Sequence, residues 1–384
     1  IIGLIGSIDD FYVSDSNFMV FETSLLNCNE TLAKSYIKPE RLNYWIRGNT
    51  AMFMATSAEN WVDLFIKDNS GTYNNDYYVI DINKFTPGQK PEKDLVWLIE
   101  QTPSDKVYKS DVTSNLTRKG HISSFNVPVS TEIYDLMDYA SLANIDAFHA
   151  PFFNHSRYLI SERELPKVHN FSDFMKTGRF NDYKHDEYSH GNPLLTIAAR
   201  NDLNTSKENT DFFEGATDNK ACRASEVFTR LIVHGVNSPT NSLEHDVPVF
   251  TFDFDRLKDY QHDGLPTKWN FDYIEFGNKI YENVDRCPKN VSEHECFKVK
   301  FCGWCADTNE CLPGVLNDDK PLYGLTCPGS WRTREKEGYA WVIAGVAIAI
   351  SVLVIAIAVG VIMYVINKRK AHNQLDNATL LPKS

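Results

Sequence analysis

Residues 339–366 carry no Asp, Glu, Lys or Arg, and a 28-residue run of that kind constrains what this chain can fold into more than any other feature. About 20 helical residues, each rising roughly 1.5 Å, cross a hydrocarbon layer about 30 Å thick, so the run is long enough to span one. A helix at the edge of a soluble core keeps a polar stripe, and this segment has none. Tyr339 and Trp341 stand at one end, Tyr364 near the other, and Lys368, Arg369 and Lys370 follow directly. Interfacial aromatics and basic residues on one side predict a transmembrane helix with its C-terminus in the cytosol. The expected topology is a single-pass type I membrane protein with a lumenal or extracellular ectodomain and residues 367–384 as a cytoplasmic tail.

An ectodomain so placed meets glycosylating enzymes and an oxidising milieu, and the sequence carries marks of both. Sequons stand at Asn29, Asn115, Asn154, Asn170, Asn204 and Asn290, each an acceptor only where it lies on the surface. Asn377, in the tail, should stay bare. Cys287, Cys296, Cys302, Cys305, Cys311 and Cys327 crowd a proline-bearing window too short to bury a core of its own. We read residues 278–330 as a small module stapled by three disulfides, whose pairing the sequence leaves open. Cys302-Gly303-Trp304-Cys305, followed by Cys311 and Gly314, resembles the cysteine-rich modules of plexins, semaphorins and integrins, which implies a spacer. A zinc site would need thiolates in a reducing compartment, and a redox pair would need a βαβ context. Cys28 and Cys222 either pair or stay free. Residues 331–338 form the juxtamembrane linker.

The net charge of −12 conceals an asymmetry, because the tail holds four basic residues against Asp376, leaving −15 for the remainder. Such a surface argues against a nucleic-acid partner. A chain that is 42% hydrophobic supports a real core. Residues 18–25 read as a strand. Pro39 opens a helix with Leu42, Trp45, Ile46, Asn49 and Phe53 on one face, and Ser57 caps a second over residues 58–67. Further strands are expected at 77–82, 95–100, 228–233 and 249–254, and a surface insertion at 201–223. Between helix and strand, Asn69-Ser70-Gly71-Thr72-Tyr73-Asn74-Asn75 reads as a tight turn. It leaves the carboxamides of Asn74 and Asn75 at the strand mouth, where they can bind an oxyanion or substrate.

That turn stands in an ordered series with Asp9-Asp10-Phe11-Tyr12, Phe21-Glu22-Thr23-Ser24, Ser124-Phe125-Asn126-Val127-Pro128, the run from Arg179 to Asp186, the run from Ala199 to Asn204, and His234-Gly235. In this order the segments resemble the phospholipase B-like family, and the resemblance covers residues 1–277, roughly 70% of the chain. It implies an α/β fold, an αββα sandwich of the N-terminal nucleophile hydrolase type. The implied activity removes fatty acyl groups from glycerophospholipids and needs no cofactor and no metal. In that family a cysteine freed by self-cleavage attacks the acyl carbon. Ser24, where the family more often has threonine, matches the hydroxyl that orients it, Asn126 the oxyanion amide, and Arg157 the fixed cation. Asn74 and Asn75 are the substrate-binding candidates.

The family places its nucleophile upstream of the segment that here begins at Asp9, and Cys28 lies beyond that segment. With Ile1 at the start and no signal pattern, we expect a partial or processed chain. An amidase acting on lipid-like amides and a non-catalytic surface or endosomal binding protein are the alternatives. His185 and His190 are off one helical face and no HExxH accompanies them, so a metal is not expected. There is no Gly-x-Ser-x-Gly elbow for a serine lipase. Expected partners are a phospholipid or lipid-like substrate, the membrane, and sorting adaptors. The last would read Asp376, Leu380 and Leu381, which resemble an acidic dileucine signal for endosomal or lysosomal delivery in place of residence at the cell surface.

Overall fold

Two alternating apolar sets in Phe18–Ser24 dictate the centre of the fold. Phe18 and Val20 point to one side, Met19 and Phe21 to the other, as expected for a strand covered on both faces. In the computed structural model, which describes residues 10–91, 93–143, 147–204, 215–277, 287–299, 301–314, 320–321 and 325–333, this strand is β2 of a five-stranded sheet. The sheet runs β1 (Phe11–Val13), β2, β3 (Asn75–Asp81), β4 (Val96–Gln101), β5 (Val107–Asp111), each antiparallel to the next. Chain order equals spatial order, with three helices inserted between β2 and β3.

The first face is covered by two helices. After α1 (Glu30–Tyr36), α2 (Tyr44–Met54) and α3 (Ala58–Phe65) pack Ala51, Met52, Trp61, Val62 and Phe65 on Val20, Tyr77, Val79 and Ile99. Ser57 caps α3 as its sequence predicts, its hydroxyl accepting from the Asn60 N–H at 3.0 Å. Trp61 stacks on Phe65, which meets Tyr77 edge-on. The second face buries Leu95, Val96 and Leu98 against Leu116 and Ile122, and Met19 and Ile82 against Val227 and Phe301.

Three expectations are corrected. The helix after Pro39 starts at Tyr44, and its buried side is Tyr44, Arg47, Gly48, Ala51 and Met52, while Leu42 and Phe53 are exposed. Arg47 causes the offset. Its guanidinium donates to the carbonyls of Leu42 and Phe65 and to Asn69 Oδ1, and five donors seeking buried acceptors outweigh a partial apolar stripe. Residues 228–233 are not a strand but the end of helix Ala224–Arg230, a left-handed Leu231, and the start of strand Val233–Val236. Only Phe250–Thr251 of the 249–254 stretch is strand.

Three disulfides join Cys287 to Cys302, Cys296 to Cys311 and Cys305 to Cys327. They brace a three-stranded sheet of Cys302–Cys305, Glu310–Pro313 and Trp331–Thr333. Cys28 and Cys222 are both free thiols. The overall class is mixed α/β with antiparallel sheets. The 339–366 run and the tail, with Asp376, Leu380 and Leu381, lie outside the described residues, as do residues 205–214 of the proposed insertion. Among the described residues no helix is long and apolar enough to cross a membrane.

Candidate active site

The Asn69 turn forms because two groups converge on one carboxamide. Asn69 Oδ1 accepts from the Gly71 N–H at 3.1 Å and from Arg47 Nη2 at 3.2 Å, and its amide donates to the Thr102 carbonyl at 2.9 Å. Gly71 sits at φ +75°, where a side chain is disfavoured, and an added Cβ would come within 2.7 Å of Tyr36. The turn delivers Asn74 and Asn75, both buried, beside the end of β2, where Asn75 is the register partner of Ser24. Asn74 spends its amide on the Gly71 carbonyl and Asn75 on the Tyr77 hydroxyl, and among the described residues neither carboxamide oxygen has a partner.

Ser24 is exposed at the C-terminal end of β2, its hydroxyl 3.4 Å from Glu22. Asn126 reaches it across 102 residues of chain, its amide donating to the Ser24 carbonyl at 2.9 Å. Asn126 itself is left-handed, φ +66°, a conformation asparagine tolerates better than most residues. Its carboxamide oxygen accepts from Arg157 Nη1 at 3.0 Å, so Ser24, Asn126 and Arg157 form one hydrogen-bonded line.

Arg157 enters from helix α7 (Ser156–Glu164), which follows α4 (Thr113–Lys119), α5 (Thr131–Leu136) and α6 (Tyr139–Ala143). It is buried against the Phe148 ring, its Nε has no partner, and among the described residues no carboxylate pairs with it. Burial lowers its pKa to about 10, which still leaves it cationic at neutral pH. A buried, unpaired cation with a spare donor is costly unless an anion arrives. His155 caps α7, its Nδ1 accepting from the Arg157 N–H at 3.1 Å, so the ring proton sits on Nε2 and is donated to the Phe148 carbonyl. Burial, with Arg157 beside it, pushes this imidazole down to about 3 and keeps it neutral.

Residue types alone assigned no role to the acids around this line. Glu22 accepts from the Tyr73 hydroxyl at 3.1 Å, and burial raises its pKa to about 7. Asp76 and Glu100 are facing partners on β3 and β4, and both are fully buried. Burial raises both, the Glu100 charge raises Asp76 further, and the Val129 and Ser130 N–H groups offset part of the rise at Glu100, which stands at about 7. A signal was available, since an acid in each of two otherwise apolar strands marks a position needing an explanation.

Beside Thr23 lies an apolar cavity of about 440 Å³ lined by Phe21, Ile80, Val96, Leu116 and Ile122, with Glu22, Thr23 and Ser124 as polar lining. A larger space of about 1100 Å³ is polar, lined among others by Arg163, Asp182, His185 and His245, and neither space is lined by Ser24, Asn126 or Arg157. Of the sequon asparagines, Asn115, Asn154, Asn170 and Asn290 are exposed, while Asn29 and Asn204 are half-buried.

A sequence profile described as Phospholipase B matches residues 2–276. Phospholipase B-like 1 of Homo sapiens is 33% identical over 274 residues, 71% of this chain and 47% of that protein. Phospholipase B of Crotalus adamanteus is 33% identical over 273 residues, with the same 71% and 47% shares. Phospholipase B-like protein A of Dictyostelium discoideum is 33% identical over 281 residues, again 71% and 47%. The chain thus spans about half the length of these relatives. On the length and identity of these matches, the chain belongs to the phospholipase B family.

Proposed function

We propose that the chain supplies the oxyanion-binding and orienting groups of a hydrolase that removes fatty acyl groups from glycerophospholipids. The observation that carries the reading is the Ser24–Asn126–Arg157 line, ending in a buried guanidinium without a carboxylate. In this mechanism a thiolate adds to the ester carbonyl, and the second amide hydrogen of Asn126 and the Arg157 charge receive the electron pair moved onto oxygen. Collapse expels the lysolipid as an alcohol, the proton given up by the thiol passing to the leaving oxygen through the nucleophile's own α-amine, and water then cleaves the acyl thioester to the fatty acid and the free thiol. The thiol comes from outside the described residues. Burial raises the thiol pKa of Cys28, and it pushes that of Cys222 up to about 12, so neither is an activated nucleophile. The apolar cavity beside Thr23 supports a lipid substrate. Within this reading the five-stranded sheet and the three-stranded sheet of Asn219–Ala221, Val233–Val236 and Ile274–Phe276 belong to an αββα sandwich.

Arg157→Ala in the intact precursor should lower kcat/KM for phosphatidylcholine by about 10²–10³-fold while self-cleavage on a gel continues. Unchanged turnover removes Arg157 from the mechanism.

We further propose that residues 339–366 anchor the protein as type I, with glycans on the exposed sequons and the tail directing it to endosomes or lysosomes. Replacing Leu380 and Leu381 by alanine should move the protein to the cell surface, and an unaltered distribution would dismiss the signal.

A further inference from the structure

Segment 124–130 has no regular structure, yet it must hold Asn126 in a left-handed conformation against Ser24 and Arg157. Its two ends are tied to two neighbouring carboxyls. At one end the Ser124 hydroxyl donates to Asp76 Oδ2 at 3.2 Å and also contacts the Thr23 hydroxyl. At the other, the Val129 N–H donates to Glu100 at 2.6 Å and the Ser130 N–H spans both Glu100 oxygens at 3.2 and 3.3 Å. Between the ties the Tyr139 hydroxyl donates to the Asn126 carbonyl at 3.1 Å and accepts from the Leu26 N–H at 2.7 Å.

Cross-strand register makes the two ties one unit. Thr23 pairs with Asp76, Asp76 with Glu100 and Glu100 with Tyr108, a single row across β2 to β5. Asp76 Oδ1 is buried without a partner, and among the described residues no cation pairs with either carboxyl. The titratable groups facing the pair are Glu22 from β2, Tyr78 from β3, Tyr108 from β5 and Tyr139 from α6, none of which can supply positive charge. Two adjacent carboxylates without a counter-ion cannot both ionise cheaply, so the pair keeps a proton under conditions where exposed carboxyls have none.

We propose that Asp76 and Glu100 are positioning residues for Asn126, a buried carboxyl pair that retains a proton and so holds both ends of segment 124–130 in place. Each tie taken singly favours an ionised carboxyl, but loss of the last proton sets two buried negative charges against each other beneath the segment, and the carboxyls, driven apart, carry its ends and the oxyanion amide out of place. The inference rests on the hydrolase reading for its catalytic meaning, but the strap itself is a property of the fold.

The experiment uses the intact precursor and two readouts over pH 5 to 9. One is hydrogen exchange of segment 124–130, corrected for intrinsic exchange, and the other is hydrolysis of phosphatidylcholine micelles. Wild type should lose protection of the segment by about tenfold per pH unit once the pair titrates, with kcat falling in parallel and KM little changed. Asp76→Asn, which keeps an acceptor for Ser124 and cannot double the charge, should flatten both alkaline limbs. Glu100→Gln should do the same and serves if Asp76→Asn does not fold. Exchange that follows this pattern in a protein without turnover would leave the strap standing and remove the hydrolase reading. Protection independent of pH in wild type, or an alkaline limb unmoved in both variants, overturns the proposal.

Discussion

That Ser24, Asn126 and Arg157 meet was legible because Ser24 and Asn126 sit in segments of the ordered series that resembles the family, and Arg157 matches the cation that the resemblance implies. Their company was not. Glu22, Asp76, Glu100 and His155 acquire meaning only through partners that sequence distance hides, such as Ser124 for Asp76 and Tyr73 for Glu22. For Glu22 the consequence for stability has a definite sign. Its folded pKa of about 7 lies above the usual 4.5, so the folded state holds the proton more tightly than the unfolded one. The contribution of Glu22 to stability is therefore fully present below about pH 4.5 and is lost as the pH rises to about 7, about 2 kcal/mol after discounting its partial exposure. Thermal melts of Glu22→Gln between pH 4 and 8 should show a smaller fall in Tm than wild type, and identical slopes would contradict the assignment.

At the scale of elements, local rules worked where they stood alone and failed where a distant group intervened. Ser57 caps α3, and β2, β3 and β4 lie where alternation places them. Helix α2 turned away from its apolar stripe because Arg47 found buried acceptors, and the expected strand at 228–233 became a helix end. There Glu226 is buried between Arg223 Nη1 at 2.7 Å and His234 Nε2 at 3.0 Å, contacts no window of sequence reveals. The disulfide pairing was equally hidden, although the number of bonds was not. Each of the first two bonds links cysteines 15 residues apart, and Gly303 is needed beneath Trp331, where a Cβ would come within 2.4 Å of the ring. Removing the second bond with Cys296→Ala and Cys311→Ala should cost about 3 kcal/mol, read as a lower urea midpoint. A midpoint unchanged by the double substitution would mean that the packed sheet alone holds the segment.

Across the whole molecule, the main sheet and the disulfide-braced segment share side chains. Phe301 is buried with Met19, Ile82 and Val227 and meets the rings of Phe85 and Phe228. Phe301→Ala should cost about 3 kcal/mol or more and open residues 287–333 to protease before the main sheet unfolds. Simultaneous cleavage of both regions would show that the coupling lies elsewhere. Residue order was enough to identify the family, to predict the central strands and the capped helix, and to mark three residues that come together, because propensity, periodicity and short motifs are local properties. Tertiary structure alone decided which carboxyls face one another, which cysteines join, and where a buried arginine turns a helix. Those outcomes depend on register and on burial in a low-dielectric interior, where one unpaired polar group outweighs several local preferences.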